Sequence, residues 1–187
     1  MSAVCVYCAS GPVDGRFLAL AADVGTALAR AGHVTVSGGG NISMMGALAE
    51  AARAAGGRTV GIIPRALMDR EVADLDADEL VITETMRERK RLMDERADAF
   101  ITLPGGIGTL EELFETWTAG YLGMHAKPVV LLDPFDFYAP LLTWLRDLQG
   151  QGFVGARALS RLLITESVAG ALELIADTPS GPLATDR

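Results

Sequence analysis

The sequence predicts a doubly wound α/β fold: a mostly parallel sheet of about seven strands with helices on both faces. Three observations carry this. Short apolar runs alternate with helix-period segments along the chain. The runs are apolar nearly end to end, which marks strands buried on both faces, and hence parallel strands covered by helices. Both large glycine clusters fall directly after such a run and before a helix, where sheets of this kind hold ligands.

The elements follow in order. Residues 2–8 are short, apolar and partly β-branched, a buried strand. Residues 15–31 place Phe17, Leu20, Ala21, Val24 and Leu28 at spacings of three and four, an amphipathic helix that Gly32 ends. Residues 33–37 are a strand and 43–55 an Ala-rich helix stopped by Gly56-Gly57. Residues 58–63 read as a strand closed by Pro64, 79–83 as a short strand and 85–97 as a charged helix. Residues 98–103 are a strand running into Pro104-Gly105-Gly106, followed by a helix over 108–122. A strand at 127–132, a helix at 137–149, a strand at 162–165 and a helix at 167–176 complete the pattern. One domain is expected over 1–177, with 178–187 as a loose tail.

Composition narrows the function. The 187 residues carry a net charge of −8 without blocks of like charge, which argues against nucleic-acid or anionic-membrane partners. No apolar run has the length of a membrane span. The N-terminus lacks a basic region and a cleavage signal, so a soluble cytoplasmic protein is expected. Two cysteines and two histidines at these spacings make neither a disulfide scaffold nor a metal site, and no metal or organic cofactor is expected. Cys5-x-x-Cys8 lies within a strand and not at a helix N-terminus, which argues against a redox pair.

Glycine is abundant, 21 residues in all, and it clusters. The first cluster is Ser37-Gly38-Gly39-Gly40, with Met45-Gly46 beyond it; the second is Pro104-Gly105-Gly106-Ile107-Gly108-Thr109-Leu110-Glu111-Glu112. Glycine lets a ligand approach the main chain, and the helix that follows offers free N–H groups and a positive dipole end, both suited to phosphate. Neither cluster is a Walker A loop, and the first lacks the last glycine of a dinucleotide fingerprint. Each taken alone is equally a tight turn.

The helix Met86–Arg96 opens with Arg87, Arg89, Lys90 and Arg91, cations that oppose its dipole unless an anion lies nearby. Bound phosphate is the sharper reading for Arg89 and Lys90. Arg87 and Arg91 fit equally a solvated face balanced by neighbouring acids. Glu111, Glu112 and Glu115 open the helix after the second glycine cluster. Glu111 reads as an ordinary first-turn acid. A carboxylate beside a phosphate loop can also direct water or stabilise a developing cation, as in glycosidic cleavage through an oxocarbenium-like transition state.

Pro104-Gly105-Gly106-x-Gly108-Thr109-x-x-Glu112 together with Met86-x-x-Arg89-Lys90 resembles the LOG ("lonely guy") family, the cytokinin riboside 5′-monophosphate phosphoribohydrolases, often labelled lysine decarboxylases. The similarity spans about residues 3–176 and includes Gly38-Gly39-Gly40, Met45-Gly46, Ile63-Pro64-Arg65, Arg70-Glu71-Val72 and Lys127-Pro128-Val129. The resemblance implies a Rossmann-like fold and a nucleoside 5′-monophosphate substrate, cleaved to an adenine-type base and ribose 5-phosphate. It implies Arg89 and Glu112 as the catalytic pair. It also implies substrate contacts from Gly38, Gly39, Gly40, Glu71, Met86, Lys90, Gly105, Gly106, Ile107, Gly108, Thr109, Leu110, Glu111 and Thr118. A homodimer or larger assembly is implied, with the site near the subunit interface. The wide apolar stripe on residues 108–122 agrees with a partner covering part of that helix.

The first loop departs from the family's Tyr-Gly-Gly-Gly-x-x-Gly-Leu-Met-Gly: Ser37 stands for Tyr, Ser43 for Gly and Met44 for Leu. Lysine decarboxylation would normally need pyridoxal phosphate on a Schiff-base lysine, and Lys90 and Lys127 lie in no recognisable site for it. The competing class is a nucleotide carrier or sensor on the same fold, which would not need an acid at 112. Arg89 and the helix dipole are expected to keep Glu112 ionised.

Overall fold

The computed structural model describes residues 2–177. The expected tail at 178–187 lies outside the described residues. Seven strands form one sheet: β1 (Ala3–Tyr7), β2 (Val34–Ser37), β3 (Thr59–Pro64), β4 (Glu79–Thr83), β5 (Ala99–Thr102), β6 (Val129–Leu132) and β7 (Leu162–Thr165). Their order is β4-β3-β2-β1-β5-β6-β7. Every pairing is parallel, for example Val4 with Thr35 on one side and with Ala99 on the other. The expected mostly parallel sheet is thus parallel throughout.

The helices are α1 (Gly15–Arg30), α2 (Ser43–Ala54), α3 (Met86–Arg96), α4 (Ile107–Tyr121), α5 (Ala139–Gly150), α6 (Ala156–Ser160) and α7 (Val168–Asp177). Each strand feeds both faces of the sheet because side chains alternate. Val4 and Val6 of β1 join Ile101 and Val130 in a core cluster under α1, α2 and α7. Cys5 and Tyr7 join Phe100, Val129 and Leu131 in a second cluster under α3, α4 and α5. This is why the central strands read as mostly apolar runs.

Three local differences separate sequence and structure. Pro64 is the last residue of β3, in register with Thr83, and not the residue after the strand. A 3-10 turn at Arg65–Leu67 and the short helix α6 were not anticipated. Neither buries a residue fully, so neither leaves an apolar period to read.

The chain runs outward from β1 to β2, β3 and β4 on one side, and from β5 to β6 and β7 on the other. Connections leaving the carboxyl ends of β1 and β5 therefore diverge and open a crevice, the usual ligand position in such sheets.

Candidate active site

A cavity of about 390 Å³ lies in this crevice, lined from the ends of β1 and β2 and by α3 and the start of α4. Its chemistry begins with Arg89. This side chain is only 5% exposed, yet it carries a permanent charge. Its Nε donates to the Ile62 carbonyl at 3.1 Å and its Nη2 to the Gly38 carbonyl at 3.0 Å. The guanidinium is thus clamped by main chain at the ends of β2 and β3. Glycine at 38 leaves the guanidinium its place, because a Cβ there would stand 2.0 Å from Arg89 Nη2 and displace it. Met86, one turn earlier on α3, lines the same cavity and brings its sulfur 4.0 Å from Arg89 Nη1.

Glu71 reaches the cavity from the segment between the 3-10 turn and β4. Its Oε2 lies 3.5 Å from Arg89 Nη2 and is buried without a hydrogen-bond partner. This segment is stitched to the first glycine loop. The Asn41 N–H donates to the carbonyls of Glu71 and Val72 at 3.2 and 2.6 Å, and the Asp74 N–H donates to the Gly39 carbonyl at 2.9 Å. A partly buried ion pair, Arg53 with Asp74 at 2.7 Å, anchors its far side. Of the three glycines only Gly38 lines the cavity; Gly39 packs on Ile62 and Ile63, and Gly40 on Met45 and Glu71.

The second glycine loop ends β5 and starts α4. Gly106 is the N-cap, and no side chain caps this helix, whereas Asp14 caps α1 and Thr85 caps α3. The first N–H groups of α4 are therefore free for a ligand. Gly106, Ile107, Gly108 and Thr109 line the cavity, with Ile107 89% exposed. Gly105 lies beneath Thr109, and Leu110 turns away to pack on the second core cluster.

Glu112 follows one turn into α4 and lines the cavity. Burial pushes its carboxyl up to about 7; Glu111 and Glu71 push the same way, against Arg89 and Lys90. The expectation that Glu112 simply stays ionised is corrected. Desolvation outweighs the attraction of Arg89, whose hydrogen bonds go to Gly38 and Ile62 and whose ion pair is with Glu71.

Lys90 differs from the expectation that pairs it with Arg89 on phosphate. Its Nζ is bonded to Glu111 and, at 2.6 Å, to Glu115. Partial burial works against its charge, but these bonds hold its pKa above the ordinary value. Thr118 is not brought to this cavity: it is exposed and lines an aromatic groove with Phe114, Trp117, Tyr121 and Trp144.

A second cavity of about 420 Å³ lies between α3 and α4. Arg87, Lys90, Arg91 and Asp94 form the α3 wall, and Glu112, Glu115, Thr116 and Ala119 the α4 wall, each set at the spacing of one helix face. Tyr7 lines both cavities, and its hydroxyl is 2.9 Å from Thr116 Oγ1. Sequence reasoning missed Tyr7 and Thr116. The available signal was Tyr7's place as the last residue of the first strand.

The departures in the first loop are accommodated locally. The Gly39 N–H donates to Ser37 Oγ at 3.3 Å, and Met44 is fully buried. Ser43 holds φ at 52°, the left-handed region that favours the family's glycine, and its Oγ donates to the Gly11 carbonyl at 2.5 Å.

Residues 45–175 match a family model described as "Possible lysine decarboxylase". The chain is 53% identical over 173 residues to a cytokinin riboside 5′-monophosphate phosphoribohydrolase of Mycobacterium tuberculosis, covering 92% of each. It is 41% identical over 174 residues to the rice phosphoribohydrolase LOG, covering 91% of this chain and 71% of that one. Among solved structures, a molybdenum cofactor binding protein from Rippkaea orientalis superposes with a TM-score of 0.71 at 24% identity, covering 94% of this chain and 95% of that chain. That likeness shows the fold alone. The chain belongs to the LOG family of cytokinin riboside 5′-monophosphate phosphoribohydrolases.

The decarboxylase description does not fit the residues. A Schiff-base lysine must become a neutral amine. Lys90 is tied to two carboxylates, and Lys127 Nζ donates to the Asp94 carbonyl at 2.6 Å and contacts its Oδ1 at 3.1 Å. Lys90 is held as a cation, and neither lysine lines the strand-end cavity.

Proposed function

We propose that this protein hydrolyses the N-glycosidic bond of adenine-type nucleoside 5′-monophosphates, AMP and N6-modified cytokinin nucleotides, releasing the base and ribose 5-phosphate. The observation that carries the reading is Glu112. It lines the cavity formed by both glycine loops and follows, by one turn, a helix N-terminus without a side-chain cap. In this reading the phosphate sits on the free N–H groups of Gly106 to Thr109. One rigid helix then sets the distance from phosphate to C1′.

As the bond to the base breaks, positive charge builds at C1′ and negative charge on the leaving base. The Glu112 carboxylate stabilises the first and takes a proton from the attacking water. Arg89, immobilised by two main-chain carbonyls, presents its remaining edge with Glu71 to the sugar. The unpartnered Glu71 Oε2 suits a ribose hydroxyl as donor.

We also propose a homodimer or larger assembly. Trp144 and Phe153 are 55% and 77% exposed on the aromatic groove that holds Thr118. A partner subunit seated there would bury this patch and bring Thr118 toward a neighbouring site. Light scattering at micromolar concentration tests this, and a monomer refutes it. We propose a cytoplasmic location as well, which two free, buried cysteines suit.

Incubation with AMP and with N6-isopentenyl-AMP, followed by chromatography for free base, tests the activity. A folded sample that binds nucleotide but releases no base is a carrier, and the hydrolase reading fails.

A further inference from the structure

Two cavities flank Glu112, and the reaction proposed above uses one of them. Among the described residues, Glu112 and Tyr7 are the two that line both. The cavities lie on different faces of α3. Met86, Arg89 and Met93 face the strand-end cavity, while Arg87, Lys90, Arg91 and Asp94 face the other. Tyr7 borders both, with its hydroxyl bonded to Thr116 on the side of the second cavity. The second cavity has no glycine loop and no helix N-terminus to hold phosphate, but its walls are dense in charged and hydroxyl groups that order water.

We infer that the hydrolytic water reaches Glu112 through the cavity between α3 and α4, so that nucleotide and water approach from opposite sides. A nucleotide seated in the strand-end crevice blocks solvent from that side. The water oxygen forms the new bond to C1′ as the bond from C1′ to the base nitrogen breaks, and the electron pair leaves with the base. The proton released by the water passes to the Glu112 carboxylate and then to solvent in the second cavity. The departing base takes a proton from solvent, which balances the reaction. Attack from the face opposite the base inverts the configuration at C1′.

The inference rests on Glu112 being the catalytic carboxylate, and its test separates the two claims. Methanol is supplied as a competing nucleophile with AMP. Its product, a methyl riboside 5-phosphate, cannot mutarotate and so records the face of attack. The α anomer is expected, and the β anomer overturns the inference. Ala119→Phe then fills the second cavity at a position that lines neither glycine loop. We expect kcat to fall at least about tenfold and the methanolysis-to-hydrolysis ratio to drop, because a nucleophile is excluded. Binding of AMP, measured in a Glu112→Gln background, should be unchanged. A merely structural defect would not shift the nucleophile ratio.

If Ala119→Phe does not fold, Ala119→Val is read in the same way. An unchanged kcat and ratio in the folded variant overturn the water route. Should the parent enzyme yield no methyl riboside, kcat of the filled variant decides alone. Failure of the parent to release any base from AMP refutes the hydrolase reading itself, a different result from base release with a β product.

Discussion

Replacing Glu112 by Gln should cost activity and raise stability, and both effects should grow as pH rises. The side chain keeps its shape and loses its charge. With the carboxyl moved from 4.5 to about 7 by burial, Glu112 binds its proton more tightly in the folded state. The stability this contributes is fully present below the unfolded pKa and is lost as pH rises toward 7, after which it is flat. At 1.36 kcal/mol per pH unit the loss is of order 3 kcal/mol. For a chain of this size that is roughly 6–12 °C in Tm. The Gln variant carries no such loss, so its Tm should match the parent near pH 4 and exceed it by several degrees at pH 8. Activity moves the other way. Glu112 acts ionised, so kcat/KM of the parent should rise with pH through a midpoint of about 7. The variant should lose at least ~100-fold in kcat while still binding AMP. Thermal melts and steady-state base release across pH 4–9 measure both. A Tm gap that is constant with pH refutes the buried-charge argument, and turnover within a few-fold of the parent moves the catalytic role to another group.

Gly38→Ala drives a methyl group against Arg89 Nη2 and should remove its bond to the Gly38 carbonyl. A charge-assisted bond is worth about 1.5–3 kcal/mol, so kcat/KM should fall at least about tenfold, with the fold retained by circular dichroism. Adenosine should be processed at least ~10-fold less efficiently than AMP, since each lost phosphate contact is of that size; equal kcat/KM would take the phosphate out of the mechanism. Activity should survive EDTA and dialysis, and a loss restored by one specific divalent ion would contradict this. At Ser43, Ala loses the bond to Gly11 and keeps the left-handed strain, whereas Gly loses the bond and relieves the strain. Urea unfolding should therefore find Ser43→Gly more stable than Ser43→Ala by about 1 kcal/mol.

The sheet was legible because its central strands bury both faces: in β1, Val4 and Val6 look one way and Cys5 and Tyr7 the other. Arg89 was legible through its misfit with the helix dipole, and Glu112 through its distance from the glycine loop. The protonation of Glu112 was not, because it depends on how deeply the chain closes over one carboxyl and on where Arg89 spends its bonds. Lys90 and Glu111 stand 21 positions apart, so their pairing becomes visible only once α3 lies beside α4. The second cavity was encoded as two facing stripes, one on each helix, which no single-helix reading joins. Thr118 entered by family likeness alone, and its placement follows from a helix face that turns away from the crevice.

The contact between Lys90 and the pair Glu111 and Glu115 makes the boundary between α3 and α4 a polar seam. The layer of α1, α2 and α7 is held instead by apolar packing. The two catalytic candidates sit on opposite banks of that seam, Arg89 on one and Glu112 on the other. Both glutamates are more than half exposed, so dissolved ions reach the seam and screen it. Ionic strength thereby acts on the relative setting of the two helices while leaving the apolar packing on both faces of the sheet nearly untouched. The chemistry and the scaffold answer to different properties of the surrounding solution.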